Sequence, residues 1–273
     1  MAIQLSDLRT MRADKPPRIL IYGNEGVGKT TLASEFPSAV FLQCEEGTPG
    51  EVELNSFGFL PDFNSVIEAM TALYDGEHDH KTLVVDSVTA LQAHIFAEVC
   101  RRGDEHGNPK ARIEDFGYGK GYANAKPVLR EFQDGCDALR RDRGMSIVLI
   151  AHSVVTTFND PETQAYDRYE IDMHKQLNGQ LTRDLDAILL LKKPVNMKVE
   201  DGKGFNQKRA RAEGSASTIK IHAVGKPAFV AKNRYGIPAE LMFNRGEGFA
   251  ALSQYLPAPA DADANAEPIK NAA

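Results

Sequence analysis

The sequence predicts an α/β fold in which a mostly parallel central sheet is flanked by helices and followed by a C-terminal β extension. Five short apolar runs have the composition expected of strands that are buried on both faces of a parallel sheet. Stretches with apolar residues at helical spacing lie between them, and this alternation is typical of βαβ units. Beyond residue 192 the pattern becomes strand-like, in "STIKIHA" and "AFVAKN".

The five strands are predicted, in order, as "RILIYG" (18–23), "AVFLQCE" (39–45), "KTLVVDS" (81–87), "MSIVLIAH" (145–152) and "AILLLK" (187–192). Helices are predicted over residues 29–36, 64–74, 88–102 and 123–141. Residues 103–121, 153–179 and 201–216 are predicted to form loops. Loops as long as the first two are usually functional or disordered.

The chain of 273 residues divides into three parts. Residues 1–17 form a polar N-terminal lead-in segment, and residues 18–256 form the core. Residues 257–273 are rich in Ala, Pro and Asp, a composition that predicts a disordered acidic tail.

Composition narrows the class of protein. Cys44, Cys100 and Cys136 are far apart, so neither a disulfide framework nor a zinc site is indicated. The lack of a disulfide framework fits a reducing cytoplasm. No apolar run approaches the ~20 residues that span a bilayer, so we expect a soluble protein without a membrane partner. The net charge of −6 hides an asymmetry, because residues 1–100 contain 6 Lys and Arg against 15 Asp and Glu, whereas residues 192–234 contain 11 against 3. A local basic patch for nucleic acid is therefore compatible with the acidic total.

The segment "GNEGVGKT" has the spacing G-x-x-x-x-G-K-T, which is that of a phosphate-binding P-loop between a strand and a helix. Glycines allow the backbone to turn its N–H groups toward an anion. Lys29 is expected to reach the β and γ phosphates, and the Thr30 hydroxyl is expected to bind Mg²⁺. The predicted phosphate-binding residues are Gly23, Asn24, Glu25, Gly26, Val27, Gly28, Lys29, Thr30 and Thr31.

Three further side chains are expected at strand ends near this loop. In "LVVDS", Asp86 is placed to complete the Mg²⁺ shell. The alternative is that Asp86 caps the next helix, a role that Ser87 could equally fill. In "FLQCEEG", Glu45 is preferred over Glu46 as the base that orients the attacking water, because Glu45 lies closer to the strand end. His152 either senses the γ phosphate or is a structural residue at the end of "IVLIAH". The cluster "EHDH" at 77–80 is read as solvated side chains rather than a metal site.

Taken in order, "GNEGVGKTTL", "FLQCEEG", "LVVDSVTAL" and the His-ended strand resemble the RecA-like ATPase core. The segment "AKNRYGIP" (231–238) is similar to the KNRFG motif of the RadA branch, with Tyr235 in the place of its Phe. Together with "YDRYEIDM" and the compact length, the pattern is most similar to phage RecA-core proteins of the nucleotide-binding or single-strand annealing recombinase type. The resemblance covers residues 18–245.

This resemblance implies a RecA-like P-loop NTPase fold that uses ATP and Mg²⁺ and assembles as a homo-oligomeric ring or filament. Lys232 and Arg234 would then reach the nucleotide of a neighbouring subunit and join Lys29, Glu45, Asp86 and His152 in catalysis. Two departures matter. The chain leaves no room for RecA's N-terminal oligomerisation helix and C-terminal domain, and it lacks the zinc motif or separate N-terminal domain of RadA and DnaB-type helicases. Strand exchange by a full filament is therefore not expected.

In RecA, the loops after the third and fourth core strands bind single-stranded DNA, and by position they correspond to residues 103–121 and 153–179. Cations interleaved with aromatic residues suit phosphate contact and base stacking. The alternative is a pair of ordinary surface loops. The candidate DNA-binding residues are Arg112, Phe116, Tyr118, Lys120, Tyr122, Arg168 and Lys175.

Three functions follow from these expectations. The first is an ATP-hydrolysing oligomer of phage type, in the host cytoplasm, that binds single-stranded DNA and promotes annealing or recombination, with a single-strand binding protein as a further partner. The second is a nucleotide-gated adaptor or loader that acts on a protein. The third is a ring translocase, which the missing accessory domain disfavours.

Overall fold

The computed structural model describes residue 4, residues 15–47, residue 50, and residues 52–201, 208–214 and 217–257. Within residues 195–201 and 208–214 it describes the backbone only. Most of the predicted lead-in segment (1–17) and of the predicted acidic tail (257–273) lies outside the described residues. So does part of the basic stretch at 192–234.

The strands are β1 (Arg18–Gly23), β2 (Ala39–Gln43), β3 (Asn55–Phe59), β4 (Thr82–Asp86), β5 (Ser146–Phe158), β6 (Tyr166–Ile171), β7 (Ala187–Lys192), β8 (Val195–Asp201), β9 (Lys208–Gly214), β10 (Thr218–His222), β11 (Lys232–Asn233) and β12 (Glu240–Asn244). The α-helices are α1 (Lys29–Ser34), α2 (Phe63–Asp75), α3 (Val88–Arg102), α4 (Lys120–Asp142), α5 (Lys175–Arg183) and α6 (Gly248–Ser253). A 3₁₀ turn covers Ile113–Phe116. No helix in the described part of the chain combines the length and the apolar character needed to cross a membrane.

Ten strands form one sheet in the order β12-β10-β7-β1-β5-β4-β2-β3, with β11 paired to β7 and β6 paired to β5. The strands from β7 to β3 run parallel, and β10, β12, β11 and β6 are antiparallel additions. Strands β8 and β9 form a separate antiparallel pair. The predicted α/β fold with a mostly parallel sheet and a C-terminal β extension is confirmed.

The apolar strands are buried on both faces because helices cover both sides of the sheet. Alternate residues of β1 enter different cores: Leu20 and Tyr22 pack with helices α2 to α5. Ile19 and Ile21 pack on the opposite face with α1, α6 and the C-terminal strands. This three-layer arrangement explains why the strands read as continuous apolar runs instead of an alternating pattern.

The parallel strands bring their carboxyl ends to one edge of the sheet. Gly23 at the end of β1 pairs with His152 of β5. Gln43 of β2 pairs with Asp86 of β4. Ligands bind at this edge in open parallel sheets, because the loops that leave the strand ends converge there.

Several sequence predictions about loops are wrong. Residues 153–179 are not an irregular loop: β5 continues to Phe158 and pairs with β6, and α5 follows. The Val and Thr residues of "SVVTTF" favour a strand, and the helix buries Leu177 and Leu181 four residues apart. Edge strand β3 was not predicted because it is mostly exposed, and β9 occupies part of the predicted loop at 201–216.

Candidate nucleotide-binding site

The loop that follows β1 depends on its glycines for shape. Gly26 and Gly28 have positive φ angles of 65° and 104°, a region that favours glycine. A Cβ at Gly23 would lie 2.5 Å from the carbonyl oxygen of Leu191, so the loop begins against the neighbouring strand β7. Helix α1 starts directly after Gly28, which gives the strand, loop and helix order that the motif requires.

Lys29 is a buried cation at the start of α1. Its Nζ donates hydrogen bonds to the carbonyl oxygens of Gly23 at 2.9 Å and Asn24 at 3.1 Å. Burial lowers the pKa of Lys29, while the nearby Asp86 and Glu45 carboxylates oppose that shift. The ammonium group therefore lies inside the loop, next to two acidic groups.

Thr30 and Asp86 place two oxygen atoms side by side. The Thr30 hydroxyl donates a hydrogen bond of 2.8 Å to Oδ2 of Asp86. Burial raises the pKa of Asp86, and the hydrogen bond from Thr30 opposes that rise. Ser87, not Asp86, caps α3, because the Ser87 hydroxyl accepts from the backbone N–H of Ala90. A hydroxyl and a carboxylate are the hard oxygen donors that Mg²⁺ prefers, so this pair fits that ion.

Glu45 and His152 form a second pair at the same edge. Nε2 of His152 donates a hydrogen bond to Glu45, with distances of 3.0 Å to Oε1 and 3.3 Å to Oε2. This bond lowers the pKa of Glu45 and raises the pKa of His152. Each group thus favours the charged form of the other. Glu46 is exposed, whereas Glu45 is half-buried and faces the P-loop cleft.

These groups share one open cleft of about 530 Å³, which is a typical size for a small-molecule site. The cleft brings together predicted residues from the P-loop, from the end of β2, and from β4 and β5. Two further lining residues, Gly50 and Arg245, were not predicted. The cleft is lined by Glu25, Gly26, Gly28, Lys29, Thr30, Thr31, Glu45, Gly50, Asp86, His152 and Arg245.

Lys232 and Arg234 lie away from this cleft within the same subunit. Lys232 pairs with Ile188 near the start of β7, the opposite edge of the sheet from the P-loop. Its Nζ donates to the carbonyl oxygens of Thr182 and Arg183 at the end of α5. Arg234 donates to Asp186 at 3.3 Å. Both cations therefore have partners within the chain.

The candidate DNA-binding residues fall into two groups. Arg112, Tyr118, Lys120 and Lys175 are exposed. Tyr118 has a φ of 49° between Gly117 and Gly119, both also at positive φ, and this turn leaves its ring fully exposed.

The other three candidates are partly buried against neighbouring side chains of the chain. Tyr122 stacks on His174 with ring centroids 4.1 Å apart, and its hydroxyl donates to Glu114. Phe116 packs against the core. Arg168 lies 3.8 Å from the centre of the Phe158 ring and is ion-paired with Glu170.

The rings of the "EHDH" cluster bond to backbone groups. Nε2 of His78 lies 2.8 Å from the carbonyl oxygen of Leu73, and Nδ1 of His80 lies 3.2 Å from that of Ser38. Within the described residues, no group of three or more His, Cys, Asp or Glu side chains is placed to hold a metal ion.

One comparison with known proteins agrees with this geometry. The search of curated proteins gives no match. A family model described as an AAA domain matches residues 15–235, a range that contains the P-loop, Glu45, Asp86 and His152. Because that match covers most of the chain, the protein belongs to the AAA domain family and carries a P-loop NTPase domain, which indicates nucleotide binding and ATPase activity.

Proposed function

We propose that this protein is an oligomeric, Mg²⁺-dependent ATPase of phage type that binds single-stranded DNA and promotes strand annealing or recombination. The observation that carries the DNA-binding part is the fully exposed ring of Tyr118, in a loop that also carries the exposed cations Arg112 and Lys120. An exposed aromatic ring and cations on the same loop suit base stacking together with phosphate contact.

In the proposed hydrolysis, Lys29 neutralises the β and γ phosphates. Thr30 and Asp86 would hold Mg²⁺, which supplies further charge neutralisation when bound. Glu45 orients a water molecule whose oxygen attacks the γ phosphorus, and the Glu45 carboxylate takes the water's proton. The bond between the γ phosphorus and the bridging oxygen breaks, and ADP leaves with that electron pair. The lowered pKa of Glu45 keeps this carboxylate ionised near neutral pH.

His152 is placed to connect the state of the nucleotide to the proposed DNA-binding surface. Its ring bonds to Glu45, and its carbonyl oxygen accepts from the backbone N–H of Asp172 at the end of the β5–β6 hairpin. Next to it, the Ser153 hydroxyl donates to Oδ1 of Asn24 in the P-loop at 2.6 Å. The start of the hairpin thus contacts both the P-loop, through Ser153, and the proposed general base Glu45, through His152.

The contacts continue from the hairpin to the Tyr118 loop. Two residues beyond Asp172, His174 caps α5 and stacks on Tyr122 near the start of α4. That helix begins two residues after Tyr118. A shift of His152 on hydrolysis can therefore reach the proposed DNA-binding turn through packed elements.

A protein-directed adaptor is the second candidate, and one observation favours it. Val154 and Val155 on the β5–β6 hairpin are exposed, and as neighbours in a strand they point to opposite faces. Each face of the hairpin thus offers an exposed valine to a protein partner, next to Ser153, which bonds to the P-loop.

Two assays separate the candidates. ATP hydrolysis is measured with and without single-stranded DNA, and annealing is measured with complementary oligonucleotides. The proposal expects DNA to stimulate hydrolysis and the protein to accelerate annealing without unwinding duplex DNA. An ATP hydrolysis rate that is the same with and without single-stranded DNA, together with annealing at the uncatalysed rate, would contradict the proposal and favour the adaptor.

A further inference from the structure

We infer that Arg245 is a nucleotide-binding residue contributed by the C-terminal β extension of the same subunit, and that it contacts the nucleoside end of the bound nucleotide. This inference rests on the proposed ATP-binding role of the cleft, and not on DNA binding. Arg245 lines that cleft together with Gly28, Lys29 and Thr31.

The topology of the extension explains how a residue so far along the chain reaches the P-loop. β12 runs antiparallel to β10, and Asn244 pairs with Thr218. β10 is antiparallel to β7, with Lys220 opposite Lys192, so this end of β12 lies at the carboxyl edge of the parallel strands. Arg245 follows Asn244 directly and therefore leaves the sheet at the P-loop edge.

The turn that carries Arg245 is held against the P-loop helix by Glu35, the C-cap residue of α1. The Glu35 carboxylate accepts hydrogen bonds from the backbone N–H groups of Gly246 at 3.0 Å and Phe249 at 2.9 Å. The rings of Phe36 and Phe249 pack with centroids 4.8 Å apart. Glu35 is thus a positioning residue for Arg245.

Close packing leaves this turn little room to move away. A Cβ on Gly248 would lie 2.4 Å from Leu32 of α1, so α6 and α1 approach as closely as a glycine allows. A Cβ on Gly28 would lie 2.9 Å from Ile219 of β10, which packs the extension against the P-loop itself. The C-terminal extension forms one wall of the cleft.

The order of the strands in the sheet indicates which end of the nucleotide lies next to the C-terminal extension. The groups proposed to act on the γ phosphate, Glu45 and Asp86, follow β2 and β4 on one side of β1. Arg245 follows β12, on the other side of β1 beyond β7 and β10. A nucleotide whose γ phosphate points toward Asp86 therefore extends its nucleoside end toward Arg245. A guanidinium group there suits the α phosphate and the face of the base.

The test compares the affinity for ADP with that for a non-hydrolysable ATP analogue by calorimetry. Arg245→Ala is expected to weaken both affinities by the same factor, about tenfold. A loss of this size is expected when a hydrogen bond to a charged group is removed. In steady-state hydrolysis KM should rise while kcat stays unchanged, because a contact to the nucleoside end is equal in the ground and transition states. Arg130→Ala, on the exposed surface of α4, serves as the control.

Glu35 is tested through its effect on Arg245. Glu35→Ala should weaken the binding of ADP and of the analogue by the same factor. Glu35→Gln should retain part of the affinity that Glu35→Ala loses, since its amide oxygen remains an acceptor. The double variant Glu35→Ala/Arg245→Ala should bind nucleotide about as tightly as Arg245→Ala alone. Both substitutions remove the same contact, that of Arg245 with the nucleotide. If Glu35 had only a structural role, the loss of binding free energy in the double variant would equal the sum of the losses in the two single variants.

Two results would overturn the inference. One is an Arg245→Ala variant whose affinities for ADP and the analogue stay within about twofold of the wild type. The other is a selective loss of affinity for the analogue with a lower kcat, which would place Arg245 at the γ phosphate. Lys29→Ala, measured in parallel, separates this failure from that of the proposed function, because unchanged nucleotide binding in that variant would contradict ATP binding at the cleft altogether.

Discussion

The Thr30 hydroxyl donates a 2.8 Å hydrogen bond to the Asp86 carboxylate, and this bond joins the first turn of α1 to the end of β4. Ser87 provides the cap of α3, so the Asp86 side chain is available to the P-loop. These two oxygen atoms are the ligands that we expect Thr30 and Asp86 to offer to Mg²⁺.

Asp86→Asn should lower Mg²⁺-dependent hydrolysis on the order of 100-fold, because a neutral amide replaces the charge that would hold the ion. The variant keeps the shape of the buried side chain, so its melting temperature without nucleotide should stay close to that of the wild type. Hydrolysis is measured across a Mg²⁺ titration. Wild-type turnover in a variant that melts normally would contradict the role of Asp86.

Glu45→Gln should retain ATP binding but lose turnover by about 10² to 10⁴-fold, the range expected for removal of a general base. Glu46→Gln is the matched control, since Glu46 is adjacent and exposed. Single-turnover hydrolysis and ATP-analogue affinity are measured on both variants. Turnover kept in Glu45→Gln but lost in Glu46→Gln would move the base by one residue.

His152 should titrate above the ordinary histidine value of about 6.5 in the wild type, because the Glu45 hydrogen bond raises its pKa. Its charge would be complete below that ordinary value and lost as the pH rises through the elevated pKa. In Glu45→Gln the pKa should fall, since burial and Lys29 both oppose the charged imidazole. NMR titration of the ring protons measures both values. An unchanged pKa in Glu45→Gln would show that the pair does not form in solution.

The buried strands and the P-loop were predictable from the sequence because their signals are local. "RILIYG" and "LVVDS" are continuous apolar runs, and the glycines of the loop occur at fixed spacing. The parallel order then carries Glu45, Asp86 and His152 to one edge without further information.

Features that depend on distant pairing were not predictable. Arg245 reaches the cleft because β12 pairs with β10 and because Glu35 binds Gly246, a contact between residues 211 positions apart. Likewise, the "KNR" motif shows two cations, but only the fold shows that Lys232 binds the end of α5 and that Arg234 binds Asp186.

Mixing variants tests whether Lys232 and Arg234 act on a neighbouring subunit. Subunits with Lys29→Ala are combined with subunits carrying Lys232→Ala and Arg234→Ala. In a random head-to-tail assembly about a quarter of the junctions then pair an intact P-loop with an intact pair of cations, so hydrolysis should partly return. No recovery, in mixtures shown to co-assemble, would assign both residues to the structural contacts within one subunit.

Binding to single-stranded DNA should depend on both charge and stacking at the exposed turn. Lys120→Ala should reduce the slope of log affinity against log salt by about 0.7, the value expected for one phosphate contact. Tyr118→Ala should weaken binding by about 1 to 3 kcal/mol at nearly the same slope, because a stacking contact releases no counterions. Lys126→Ala, an exposed lysine further along α4, is the control.

The central claim is that the ATP-bound protein holds single-stranded DNA, and fluorescence anisotropy of a labelled oligonucleotide tests it most directly. The measurement is made with an ATP analogue and Mg²⁺, starting at low salt and raising the salt stepwise. We expect binding at low salt that weakens steeply as the salt concentration rises, since each neutralised phosphate releases counterions. Absence of binding at low salt, or an affinity that does not change with salt, would contradict it.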